Sequence, residues 1–515
     1  MDIVRESVFY AFLCRFGRLL SSGFLAGLWA RISRYVTAKV RESNLYRLLT
    51  EEGPWGRLWK SSLLCAALGR LLDLIPRGLR KLETPREGQE SSSLLAWALD
   101  GLADRRSILL GLFVLLMLCV PYKLWNNLYA ALGAVALFGL YYFWAVPRRG
   151  ARSVEPGELS PFYFVFLLCA ALAFLFSEHR GLSLRFVIFH MACAVLVFTV
   201  LGSVETVRQL RTLLYTVLVG LLVAALYGCV QIVTGVEFYS YQLDMSINSG
   251  ITGRIYSFFS NPNNFHTFIT MLLSFALGLL VGEKSFRGRL FCVVVLAATL
   301  AASLATYSRS GWIGLLAAVV VFLVLTDWRY LLLLPVLGVL ALPFLPSSVV
   351  TRLTTIGNMN DSSARYRVQI YTAFGRLLKL CWPTGVGLGT DTTYAALHEL
   401  PPMEDGNYAL HSHNNYMQIC AEMGIVGAGS YTFALLGRLK NSLAAARKAD
   451  RGLRPLLAAA AGSMTGIMLM GLVDYTWYYP RSMFVFWFLF GVLTVCCRLA
   501  RSGRGADEKG DGSHV

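Results

Sequence analysis

The chain has 515 residues, of which 56% are hydrophobic and only 15% charged, with a formal net charge of +17; its mean hydropathy is +0.55. Soluble domains carry about 25% charged residues, so the composition excludes an ordinary soluble globular protein and indicates an integral membrane one. In a soluble chain the basic excess would suggest nucleic acid. Here it reads as the Lys and Arg that gather in cytoplasmic loops; no nucleic-acid-binding motif is present and no such partner is expected.

Residues 1–106 are basic and amphipathic. Ser7–Leu20 and Ser61–Leu79 place apolar residues at helical spacing with Arg on the other face. They are too interrupted by charge to cross lipid, and are expected as cytoplasmic or interfacial helices on an anionic leaflet. A small soluble helical domain is the alternative. Arg5, Arg15 and Arg18 break the first apolar run, so a cleaved signal is not expected. Glu87–Ser93 reads as a linker.

From Ser107, segments of about 20 apolar residues recur. The expected fold is an all-α integral membrane protein with about twelve spans, near 107–122, 126–146, 161–177, 184–202, 210–233, 264–282, 288–306, 310–326, 329–345, 419–437, 455–473 and 482–498. The membrane domain thus covers 107–498, a large extracytoplasmic loop occupies 346–418, and 499–515 form a polar cytoplasmic tail. Loop charge supports this threading. With the N-terminus inside, the inner loops hold Arg148, Arg149 and Arg152, then Arg208 and Arg211, then Lys284, Arg287 and Arg289. The loop from Arg438 to Arg454 and the tail with Arg498, Arg501, Arg504 and Lys509 follow. That alternation is the positive-inside bias, and it puts both termini in the cytoplasm of a multi-pass plasma-membrane protein.

A polar segment as long as 346–418 between two spans is uncommon and usually functional. Within it Ala364–Leu380 has helical periodicity, TGVGLGT (Thr384–Thr390) stops that helix, and His411–Glu422 re-enters as another. The least secure span is Ala421–Gly437, which is short and glycine-rich.

Arginines on the outer side run against the charge bias, which makes them informative. Arg254 lies in GRIYSFFSNPNNF (Gly253–Phe265), just ahead of a span opened by Asn263 or Asn264. An asparagine N-cap exposes backbone N–H groups and a positive helix end, and a guanidinium beside it would complete an anion site. Snorkelling to headgroup phosphate is the alternative. Arg309, in YSRSGW (Tyr307–Trp312), sits between two nearly continuous apolar spans and is a functional candidate by position; a turn residue capping helix carbonyls is the alternative. His411 and His413 precede Asn414. Two histidines at i and i+2 point apart on a helix and find no third ligand at useful spacing, so neither metal nor cofactor is expected. A histidine can instead take a proton from a hydroxyl nucleophile. His190 and His266 lie in spans and read as packing residues. The 11 cysteines are scattered and suit buried apolar packing; only Cys381 and Cys420 are placed for a bridge.

These strings, in this order, resemble the superfamily of O-antigen ligases and O-antigen polymerases, which are bacterial polytopic membrane glycosyltransferases of the cell envelope. The matching pieces are FFSNPN (Phe258–Asn263), YSRSGW, RYRVQIYTAF followed by GVGLGT, and HNNYMQICAEMG (His413–Gly424), spread over residues 107–498. The resemblance implies metal-independent, inverting transfer or polymerisation of a glycan from an undecaprenyl-pyrophosphate carrier to a hydroxyl of a glycan, lipid or protein acceptor at the outer face. It maps the catalytic histidine onto His413. The anion clamp falls on Arg254, Arg309 and either Arg365 or Arg367, because R-Y-R leaves the register open. Asn261, Asn263, Asn414 and His411 join the substrate-binding set through their motifs, and Arg185 through its place at the outer end of the fourth span. The competing reading is a transporter or flippase of lipid-linked sugars, although no repeat between halves is evident. A polymerase with a catalytic carboxylate is a third, and Asp361, Asp391, Glu404 and Asp405 lie in no recognisable string.

Overall fold

The computed structural model describes residues 24–51, 53–82, 94–236, 251, 253–357 and 362–503. The expected helix at Ser7–Leu20, the linker at Glu87–Ser93 and the polar tail beyond residue 503 lie outside these. The described residues form two compact units, up to Gly53 and from Pro54 onward.

The first unit contains helices α1 (Phe24–Glu42) and α2 (Asn44–Thr50). Ser43 separates them by accepting a hydrogen bond from the Tyr46 amide at 3.1 Å, the usual reason for serine at an N-cap. Ile32, Tyr35, Val40, Leu45 and Leu48 remain exposed.

The second unit consists of helices and connecting loops, with no strand among its described residues. It opens with α3 (Pro54–Lys60), α4 (Leu63–Leu82) and α5 (Leu94–Asp104). Then come α6 (Arg106–Cys119), α7 (Asn127–Gly139, prolonged by a π-helical stretch Leu140–Ala145), α8 (Pro161–Leu175), α9 (Arg180–Ser203), α10 (Val207–Thr234), α11 (Pro262–Gly282), α12 (Phe286–Ala305) and α13 (Arg309–Asp327). After α14 (Leu333–Ala341) the chain forms α15 (Ser347–Thr354), α16 (Ser362–Cys381) and α17 (Thr390–Leu397), and closes with α18 (Asn415–Ala446), α19 (Arg454–Met470) and α20 (Pro480–Ser502). Among the described residues, eight helices are long and apolar enough to cross a membrane, and α6, α8 and α19 are shorter apolar helices. The protein is therefore a multi-pass membrane protein.

The segment Arg309–Phe344, one of those eight, is not straight. Asp327 leaves helical geometry (φ −156°, ψ 105°) and the chain reverses there. Leu325 at one end accepts from Arg454, whereas Ser348 beyond the reversal meets the Tyr307 hydroxyl at 2.9 Å. The return run 328–344, expected as one continuous span, alternates 3₁₀ and α geometry. Pro335 and Pro343 each remove an amide donor there. None of its residues is buried, which suits a segment solvated by lipid.

Small residues set the closest packing, as expected where lipid removes the hydrophobic drive between helices. A Cβ on Gly466 would lie 2.4 Å from the Gly314 carbonyl oxygen, and one on Gly462 would lie 2.3 Å from that of Ala318; α13 and α19 touch backbone to backbone. α20 is nearly all buried and is the axis around which α9, α18 and α19 pack.

The 346–418 segment folds over one end of this bundle. α16 buries Ile370, Phe374 and Leu377 against Leu397, Met403, Ala409 and Ala421, so the periodicity expected over Ala364–Leu380 is present with the inward face read correctly, except that Tyr366 is exposed. α18 begins at Asn415 and is broken at Gly424 (φ 73°). The break lets residues 382–387 dock: amides of Val386 and Gly387 donate to the carbonyls of Ala421 and Glu422, and that of Ile425 donates to Trp382. A Cβ at Gly424 would strike the Pro383 carbonyl at 2.2 Å. One of the glycines that weakened the tenth span in sequence, Gly424, is thus what seats the loop on it. Cys381 and Cys420 are both free thiols, so the bridge considered for them does not form; Cys381 packs instead within the α16 cluster.

Candidate active site

Three loops meet where the 346–418 segment covers the bundle, and each carries a non-glycine residue with left-handed backbone: Ser257 (φ 54°), Tyr307 (φ 50°) and His413 (φ 50°). Such residues are uncommon and cluster at functional sites, where surrounding structure over-determines them.

The His413 loop is fixed by side chains of α18 and of the connection between α19 and α20. Asn414 is the N-cap of α18, accepting from the amides of Tyr416 and Met417, while its own amide nitrogen donates to the Leu472 carbonyl at 2.8 Å. Asn415 and Thr476 exchange hydrogen bonds: the Asn415 amide nitrogen donates to Thr476 Oγ1 at 2.8 Å and the Thr476 backbone amide donates to Asn415 Oδ1 at 2.7 Å. This lock brings Asp474 beside the histidine. His413 Nδ1 lies 3.1 Å from Asp474 Oδ1, the arrangement that makes Nδ1 the protonated nitrogen and leaves Nε2 with its lone pair. Burial alone would raise the Asp474 carboxyl, but the hydrogen bond and charge of His413, with the charges of Arg367 and His411, hold it well below the usual carboxylate range.

His411 does not point away from His413. The segment is irregular, not helical, and the ring centroids are 4.2 Å apart; His411 Nδ1 accepts from the His413 backbone amide at 3.2 Å, and Tyr478 packs on its other side at 4.5 Å. Burial, then His413, pushes the His411 imidazole down to about 3, so it stays neutral near pH 7. The folded state resists a proton that the unfolded chain accepts below about 6.5, so stability falls as pH drops from about 6.5 towards 3. His411→Gln should therefore lose less melting temperature than wild type between pH 7 and pH 5. Equal losses would show that His411 does not contribute.

The guanidinium groups gather next to this pair. Arg254 is buried; its Nε donates to the Thr306 carbonyl and its Nη2 to Asn263 Oδ1, both at 2.8 Å. Asn263 is therefore the partner of Arg254 and not the helix cap. The cap of α11 is Asn261, which accepts from the Asn263 amide at 2.8 Å, because Pro262 at the first helical position sets the start two residues earlier than expected. Arg309 is the first residue of α13 and donates to the Thr355 carbonyl at 2.8 Å. Ser308 caps that helix, and Gly311 lets it approach so closely that a Cβ there would overlap the His266 ring at 2.2 Å. His266 itself is held by Ser303 and Thr270, in keeping with a packing role.

α16 decides between its two arginines. Arg365 is exposed and Arg367 half-buried, with a buried Nε that has no hydrogen-bond partner; the charge of Arg367 acts on Asp474, His411 and Arg254. A fourth member, Arg352 on α15, was not anticipated. It is buried, its Nε facing the Tyr307 carbonyl at 3.4 Å. Burial first, then the charges of Arg352, Arg367 and Arg309, push Arg254 down to about 9. Arg367 and Arg254 interact with the Asp474 carboxylate, and Arg352 and Arg309 with Arg254; together they form a site of positive potential suited to an anion with several oxygens.

Arg185 is not part of this cluster. It is exposed, paired with Asp391 and placed over the Phe186 ring. It lines a separate cavity of about 470 Å³ with Asn126, Asn127, Tyr478 and Tyr479. Tyr478 is the shared wall, since its ring packs on His411.

Asp474, Asn415 and Arg352 were missed from sequence. The one signal for Asp474 was an acidic residue at a span end, in GLVDYTWYYP (Gly471–Pro480). No curated protein matches the chain. Residues 292–432 match the family model described as O-Antigen ligase; the matched segment includes Arg309, Arg352, Arg367 and His413, and leaves Arg254 and Asp474 outside. The sequence motifs and this match agree on the O-antigen ligase superfamily for residues 292–432, just over a quarter of the chain.

Proposed function

We propose that the protein transfers a glycan from undecaprenyl pyrophosphate to an acceptor hydroxyl at the outer face of a bacterial plasma membrane, as an inverting, metal-independent ligase or polymerase. The single observation that carries this reading is an imidazole oriented by a buried carboxylate beside a cluster of four interacting guanidinium groups. In this reading the chain crosses twelve times, counting the reversal at Asp327 as two crossings, with both termini inside and the 346–418 cover outside.

His413 Nε2 takes the proton of the acceptor hydroxyl. The oxygen forms its bond to the anomeric carbon from the face opposite the carrier, the bond to the pyrophosphate oxygen breaks, and the electron pair leaves with the diphosphate. Arg254, Arg309, Arg352 and Arg367 compensate the charge that develops there. Donors fixed in advance within a partly dry site usually lower the barrier of such steps more than any other effect. Asp474 stabilises the imidazolium that forms. The cavity around Arg185, Asp391 and Tyr478 adjoins His411 and suits the acceptor.

The test uses the purified full chain in vesicles with a lipid-pyrophosphate glycan donor and a glycan acceptor. Transfer with stoichiometric release of carrier pyrophosphate is expected. Movement of donor across the bilayer with no carrier released would replace this reading with a flippase.

A further inference from the structure

The end of the bundle away from His413 holds a second cavity, of about 620 Å³, within the range of ligand sites. α20 runs between the two: it starts just after the Asp474 loop and its last turns supply Arg498 and Arg501. Its length puts the sites roughly 34 Å apart. The cavity walls carry Lys60, Arg152, Arg438, Arg498 and Arg501 against Glu155 and Glu158, five cations and two anions.

The two anions are already engaged. Arg152 meets Glu155 at 2.9 Å and Glu158 at 2.5 Å, and Arg498 meets Glu158 at 3.2 Å. Arg438 is 3% exposed. Its Nη2 donates to the Glu158 carbonyl, but its Nε has no hydrogen-bond partner. A buried guanidinium N–H without an acceptor carries a desolvation cost that an anionic oxygen in the cavity would remove.

The near wall is built by the amphipathic N-terminal helices. Lys60 ends α3, and Cys65 and Ala66 lie in the first turn of α4. The Trp59 indole N–H donates to the Pro156 carbonyl at 3.2 Å and Trp59 packs on Phe164 at 5.5 Å. The Arg80 guanidinium donates to the Val146 carbonyl at 2.9 Å. Fastened in this way, α4 leaves Leu63, Leu64, Leu71 and Leu74 between 63% and 89% exposed. A helix with that apolar row, flanked by exposed Arg70, Arg77 and Lys81, lies in the membrane interface, which sets the cavity at headgroup depth and favours a lipid over a soluble ligand.

We propose that this cavity binds the phosphate headgroup of an anionic lipid, with Arg438, Arg501 and Lys60 as its donors. Arg suits phosphate through its forked N–H groups, and basic clusters at this depth recognise anionic lipid. The inference stands apart from the transfer reaction.

The test melts the full-length protein in detergent with phosphatidylglycerol, with phosphatidylcholine or with inorganic phosphate. Phosphatidylglycerol alone should raise Tm. The double variant K60Q/R501Q should lose at least half of that rise, and K284Q/R287Q, whose exposed residues do not line the cavity, should keep it. Equal effects of the two lipids, or equal losses in the two variants, overturn the site. A full shift with inorganic phosphate replaces the lipid with a soluble phosphate. Native mass spectrometry gives a readout independent of any variant: wild-type protein should retain one phosphatidylglycerol, and failure to retain it overturns the proposal.

Discussion

His413→Ala is expected to lower the rate of glycan transfer by about 10²–10⁴, the usual range for losing a general base, with the donor still bound. In the proposed reaction the arginines hold the donor and His413 meets only the acceptor proton, so the loss should fall on kcat and leave the donor KM within about threefold. Asp474→Asn should show the same pattern more weakly, because the amide leaves Nδ1 a partner but removes the charge that stabilises the imidazolium and selects its tautomer. A related carboxylate-to-amide change in a serine protease triad has a large effect through the wrong tautomer. The measurement is single-turnover transfer against donor concentration. Wild-type rates in His413→Ala would remove the site, and a KM effect alone would reassign His413 to donor binding.

The second large effect separates two arginines that lie two residues apart. Arg367→Gln should cut kcat/KM by about 10²–10³, the scale on which a donor aimed at developing charge acts, while Arg365→Gln stays within about threefold. Arg367 carries a buried Nε with no hydrogen-bond partner and contributes to the field at Asp474 and His411; Arg365 is exposed. Arg367→Lys should recover little, since a point charge does not reproduce the fork. Equal losses from both glutamine variants, in the same transfer assay, would mean that α16 presents its other edge to the donor.

Much of this was legible in the chain because it depends on local patterning. The apolar runs gave the bundle, the 3.6-residue period over Ala364–Leu380 gave α16, arginines placed against the charge bias gave Arg254 and Arg309, and the family resemblance narrowed a third cluster member to Arg365 or Arg367. What stayed hidden depends on contacts between distant segments. Asp474 is 61 residues from His413 in sequence, and hydrogen bonds of Asn414 to Leu472 and of Asn415 to Thr476 bring them together. Arg365 and Arg367 are equivalent until α16 docks. The helical rule that sends i and i+2 to different faces failed at His411 and His413 because the chain is not helical there. Asn261 and Asn263 offered the same capping chemistry, and Pro262 between them fixed which one serves.

The left-handed backbone at Ser257, Tyr307 and His413 bears on how the pocket persists. Each such residue costs on the order of 1–3 kcal/mol, offset in part by local bonds: Ser257 Oγ donates to the Ala224 carbonyl, the Tyr307 hydroxyl meets Ser348, and His413 Nδ1 pairs with Asp474. A further restraint comes from the tightly packed shafts beneath, where α13 and α19 meet glycine against carbonyl. Loosening that seam far from any substrate would let the three loops relax, so the catalytic geometry should fail before the protein as a whole unfolds.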